Sequence, residues 1–158
     1  MSFGVATARG KVVQIVSTQT SALATGTTIM PVDNTIPQIT EGDQYMTRTI
    51  TPKNAANILF VEVIWFGACS IANNFSIALF VGTTTDALAA MGDITSGNNY
   101  VGACSLNHSV DAGVTTELTF QVRCGPASAS TMTFNGNSGN RRFGAIPKSS
   151  ITITEFTP

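Results

Sequence analysis

ELTFQVRC (117–124) is the stretch on which the fold turns. Leu118, Phe120, Val122 and Cys124 alternate with Glu117, Thr119, Gln121 and Arg123, so apolar and polar side chains sort to opposite faces at a period of two. A helix would spread these residues around its axis; a strand with one buried face keeps them apart. Residues 75–81 repeat the pattern, with Phe75, Ile77, Leu79 and Val81 on one face. Residues 57–66 do not. There Leu59, Val61, Val63 and Trp65 share a face, while Ile58, Phe60, Ile64 and Phe66 make the other face apolar too, with Glu62 the exception. A strand apolar on both sides belongs at the centre of a sheet, covered once by the core and once by another sheet or subunit.

Weaker alternation at 11–19, 27–32, 45–51, 100–107, 131–134 and 151–156 brings the total to about nine strands. Turn-forming clusters separate them: VDN (32–34), EGD (41–43), TPKN (51–54), DAG (111–113) and NGN (135–137). Helical character is confined to TDALAAM (85–91), whose Thr or Asp start predicts a capped helix of a turn or two. The expected fold is all-β: an antiparallel two-sheet sandwich of jelly-roll type, with eight to nine strands and one short helix. Residues 11–158 form the single domain, and residues 1–10, rich in Gly, Ala and Ser, read as a lead-in or an arm toward a neighbour.

Composition narrows the function. The chain has 158 residues, enough to bury a core without covalent staples. Its formal net charge of -1 argues against nucleic acid or an anionic membrane as partner. Charged residues make up 11% of the chain, against roughly 25% in a typical soluble domain. Thr, Ser, Asn and Gly stand in for them, and burying a Thr costs far less than burying an unpaired charge. An oligomer or assembly component is therefore expected. Cys69, Cys104 and Cys124 form no CxxC pair and read as small apolar residues in strands of a protein made in a reducing cytosol. The first residues lack the apolar core of a signal peptide, and no apolar run is long enough to insert in a membrane.

The residues of catalysis are sparse. The one histidine, His108, precedes Ser109 and Asp111, but residues so close in sequence seldom meet as a triad, and no GxSxG elbow is present. Asp33-Asn34 and Glu41-Gly42-Asp43 carry calcium-type ligands without the spacing of an EF-hand loop; the simpler reading is that they set turns. Glycines punctuate strands rather than forming phosphate or dinucleotide loops. The expectation is a non-enzymatic protein with no metal and no cofactor. Trp65 continues an apolar face and reads as core or interface, whereas Tyr100 follows Gly97-Asn98-Asn99 and reads as exposed. If a sugar is bound, Asn98, Asn99 and Tyr100 are its expected contacts.

Three segments carry a resemblance: GKVVQIVSTQT (10–20), PVDNTIPQITEGDQYMTRTITPKNAANILFVEV (31–63) and TMTFNGNSGNRRFGAIPKSSITITEF (131–156). In this order they resemble a β-sandwich domain of tailed-phage virion proteins, found in tail-fibre and tailspike-like proteins and in small fibre or decoration proteins. The resemblance implies a jelly roll that forms homotrimers at a virion surface, made in the host cytoplasm, and binding a host glycan or another virion protein rather than cutting it. A tail-fibre or tail-tip component is the first reading and a capsid decoration or head-fibre protein the alternative. A polysaccharide depolymerase and a free lectin-like module are more distant ones. Within 131–156, residues 135–140 are expected at the tip between two strands, with Gly136 and Gly139 supplying positive φ. Arg141 and Arg142 should then point to opposite faces, one paired with a carboxylate and the other exposed. Together with Trp65 and Phe66 they are the expected subunit or intradomain contacts.

Overall fold

The computed structural model describes residues 10–158; the expected lead-in lies, but for Gly10, outside them. The strands are β1 (Val12–Thr20), β2 (Ala24–Gly26), β3 (Asp43–Ile50), β4 (Ile58–Cys69), β5 (Asn73–Val81), β6 (Ala89–Thr95), β7 (Val101–Asp111), β8 (Leu118–Pro126), β9 (Met132–Phe134), β10 (Gly136–Asn137), β11 (Asn140–Arg141) and β12 (Ser149–Phe156). Eight long strands make two antiparallel sheets, β7-β4-β12-β1 and β6-β5-β8-β3. The nested pairs β1/β12, β3/β8, β4/β7 and β5/β6 are the winding of a jelly roll. Short β9 pairs with the last residues of β4, beyond the start of β12, and carries β2 on its far side.

The core lies between the sheets. Leu59, Val61, Val63 and Trp65 of β4 and Ile151 and Ile153 of β12 face Phe75, Ile77 and Leu79 of β5 and Phe120, Val122 and Cys124 of β8. The alternation of 117–124 is the alternation of β8, whose Phe120, Val122 and Cys124 are buried. Trp65 is wholly buried, its ring centroid 5.0 Å from that of Phe75 and 6.2 Å from that of Phe134. It is a core residue, not an interface one. All three cysteines are buried as free thiols, and burial lifts that of Cys104 to about 11.

Two local expectations are corrected. Residues 85–91 form no helix: Leu88 N–H bonds Leu79 O, and Ala89–Thr95 runs on as β6 along the edge of β5. The helix propensity of Ala and Leu is worth tenths of a kcal/mol per residue, less than the ladder that β5 offers. Among the described residues, the sole helical element is a 3₁₀ turn, Phe143–Ala145. Residues 27–32 are not a strand either. With Pro31 unable to donate, this segment instead makes isolated bonds, Met30 N–H to Pro126 O and Gly42 N–H to Ile29 O, and lies over the outer side of the second sheet. Met30 packs there with Ala78 and Phe80 of β5, alongside Ile39 and Ala87.

The two outer faces therefore differ. The chain covers the outer side of β5 with Met30 and Ile39 of its own 30–39 segment. On the other sheet, the outward residues of β4, Ile58, Phe60, Glu62, Ile64 and Phe66, lie beside Phe156, Thr154, Thr152 and Ser150 of β12 and Ser109, Asn107, Ser105 and Ala103 of β7. Ile64 is 52% exposed and Ile15 of β1 61%. Along the rim of this sheet the two ends of the described chain meet: Lys11 N–H donates to Thr157 Oγ1, and Thr157 N–H to Lys11 O.

Candidate functional site: a cleft between the β6–β7 loop and the β11–β12 segment

A cleft of about 640 Å³ opens at one end of the sandwich, lined by Asn99, Tyr100, Val101, Asn137, Arg142 and Phe143. Two distant parts of the sequence build it. On one side the β6–β7 loop is pinned by Asn99 N–H to Cys69 O (2.9 Å) and by Asn98 Oδ1, which accepts Ala72 N–H (3.0 Å). Asn98 is thereby turned back into the scaffold and does not line the cleft. Asn99 sits at φ +59°, and the Tyr100 ring folds over Gly97, where a Cβ would approach Tyr100 Cε2 to 2.9 Å.

On the other side is the hairpin β10–β11. Its positive φ angles belong to Ser138 (+48°) and Gly139 (+69°), with Asn135 (+54°) just before β10. Gly136 was expected to supply positive φ and does not; it is needed for space, since a Cβ there would come within 2.1 Å of Asn140 O. Asn135 anchors the hairpin. Its Nδ2 donates to Thr20 O and Ala22 O, and its Oδ1 accepts Ser149 N–H and Oγ–H. Buried Asn137 joins the two sides, donating from Nδ2 to Asn99 O at 2.9 Å.

Both arginines are exposed, and among the described residues neither meets a carboxylate. Arg141 Nη1 donates to the backbone oxygen of Ser21 at 3.1 Å, an intradomain tie, while Arg142 stays exposed and lines the cleft. Phe143, Gly144 and Ala145 follow with φ of +47°, +64° and +66°. Consecutive left-handed residues that are not all glycine cost of order 1–3 kcal/mol each, and such strain gathers at binding sites. The turn holds the Phe143 ring 73% exposed, near Tyr100 at 63%. Two aromatic faces, a guanidinium and two amides thus share one concave surface.

The other candidate residues have structural employment. His108 faces inward from β7 opposite Val61, whereas Ser109 and Asp111 face outward opposite Phe60 and Ile58, so the three do not converge. Asp33 accepts Thr35 N–H and Oγ1–H, which holds its carboxyl below the usual range. Glu41 accepts Gln38 N–H, and Asp43 accepts Thr28 N–H and Oγ1–H. Asp33 and Glu41 set turns, and Asp43 ties the start of β3 to Thr28. Among the described residues, no helix is long and apolar enough to cross a membrane.

Among solved structures one shares this fold and others are more distantly similar. Eiger TNF from S. frugiperda superposes with a TM-score of 0.50 at 11% identity, over 89% of this chain and 92% of that one. A structure of the infectious bursal disease virus Gx strain matches at 0.44 and 9%, over 92% of this chain and 37% of that one. The enzymatically active domain of bacteriophage CBA120 tailspike protein 4 matches at 0.32 and 14%, over 78% and 19%. No sequence model of a protein family matches the chain, and no curated protein does. At 11% identity the likeness to Eiger TNF is one of fold alone.

The sequence nominated Asn99 and Tyr100 as ligand contacts and Arg142 as a subunit or intradomain contact, and Phe143 and Asn137 were missed. The signal for Phe143 is an aromatic set directly after Arg-Arg and before Gly in a turn-rich segment. Asn137 carries no such signal, because a buried amide and a loop amide look alike in sequence.

Proposed function

We propose that this protein is a non-enzymatic structural component of a tailed-phage virion, a homotrimeric tail-fibre or tail-tip part that meets a host surface glycan at the cleft. The observation that carries the reading is the outward face of the β7-β4-β12-β1 sheet. Its central strand offers Ile58, Phe60, Ile64 and Phe66, and its flanks offer Ser, Thr and Asn. The only charges along its β4, β7 and β12 rows are Glu62 and Asp111. A face with so few charges packs on copies of itself with like-charge repulsion confined to Glu62 and Asp111, and its small polar side chains tolerate burial. The virion setting is supported by the three segments that resemble phage virion domains, and the glycan by the cleft's aromatic and amide lining.

The test is native mass by light scattering for the natural protein and Ile64→Lys. The expected result is a trimer for the first and a single chain for the second, with equal thermal stability once the trimer's concentration dependence is allowed for, because the Ile64 side chain contributes little to the monomer's core. A natural protein that stays monomeric at micromolar concentration overturns the reading. Copy number in the particle then decides its station: a few copies mean a tail, and copies in step with capsid symmetry mean a decoration or head-fibre protein.

A further inference from the structure

We infer that the cleft takes an acidic sugar, a pyranose bearing a carboxylate, with Arg142 holding the carboxylate. This rests on the glycan-binding part of the proposed function and narrows it to one ligand chemistry. Two features of the lining converge. Tyr100 and Phe143 present exposed ring faces, on which the C–H side of a pyranose packs. Beside them stands the exposed Arg142, whose planar fork matches a carboxylate through two parallel N–H bonds. The chain's net charge of -1 draws no anion to the protein as a whole, so preference for an acid must come from this one side chain.

The ligand so described offers an apolar ring face and an anion. A neutral hexose lacks the last, and a bare phosphate lacks the first.

Binding is measured by calorimetry with oligogalacturonate and oligosialate, with their carboxyl-reduced forms, and with neutral dextran and mannan oligosaccharides. The expected result is binding of an acidic oligomer, weakened at least roughly tenfold by carboxyl reduction, by Arg142→Ala and by Tyr100→Ala, with Arg142→Lys keeping part of the affinity. Both side chains are solvent-exposed, so the variants should melt with the natural protein, which a thermal scan checks. Equal affinity for acidic and reduced forms, or no effect of Arg142→Ala, overturns the assignment of the carboxylate to Arg142 while glycan binding stands. Binding of neutral oligomers alone overturns the acidic class and spares the glycan reading. Binding of no oligomer in the set overturns both.

Discussion

Glu155 is wholly buried yet has no cation beside it among the described hydrogen-bond partners. Its Oε1 accepts Asn57 Nδ2 (2.6 Å) and Lys53 N–H (2.8 Å), and its Oε2 accepts Gln14 Nε2 (2.6 Å). Burial pushes the carboxyl up, but the bonds from Asn57, Gln14 and the Lys53 and Asn54 backbone outweigh it and hold the group below its ordinary 4.5. A value depressed in the folded state means that this carboxylate adds stability above about pH 4.5 and gives it up as pH falls through and below that point. Thermal melts of the natural protein should therefore fall as pH drops from 5 toward 3. Glu155→Gln should melt lower at pH 7, by about 1–3 kcal/mol, because an amide turns donors toward donors, and its melting point should change less across the acid window. A Glu155→Gln curve parallel to the natural one would assign the acid sensitivity elsewhere. The position was legible, since ITITEF sends Glu155 inward with Ile151 and Ile153. Its partners were not, because Gln14, Lys53 and Asn57 reach it from across 98 to 141 residues of chain.

At the scale of elements, β4 ends where β9 closes on it, and Gly67 makes that closure possible. A Cβ there would lie 2.3 Å from Thr133 O and 2.4 Å from the Trp65 ring, which leans along the strand over this glycine. Gly67→Val should cost about 1–3 kcal/mol through displaced backbone and ring, visible as a lower denaturation midpoint with quenched or shifted Trp65 fluorescence. A midpoint unchanged within error would mean that β9 is free to give way. Period-two patterns located seven of the eight long strands and missed β6, whose AAMGDIT lacks β-branched alternation and is made a strand by its neighbour. The covering role of 30–39 was hidden for the same reason: apolar residues between prolines do not say whether they join a ladder or lie across one.

For the whole molecule, the jelly roll was readable because both sheets bury one face and so print their period into the sequence. The doubly apolar β4 was readable too, and the structure shows that nothing in residues 10–158 covers its outward side to the degree that 30–39 covers β5. The cleft was readable only in fragments. Asn99 and Tyr100 meet Arg142 and Phe143 across some forty positions, a proximity set by β9 pairing with β4, and pairing partners are not written in a local pattern.

The junction of Lys11 with Thr157 makes the backbone almost a ring, interrupted on the rim of the first sheet. A topology of this kind has no privileged starting point. A circular permutant that joins residue 158 to residue 10 through a few Gly-Ser residues and opens between the exposed Val114 and Thr115 should fold to the same sandwich, with the same circular dichroism and a melting point within several degrees of the parent. Failure of that chain to fold would show that the order in which strands emerge, and not only their final pairing, governs how this jelly roll is wound.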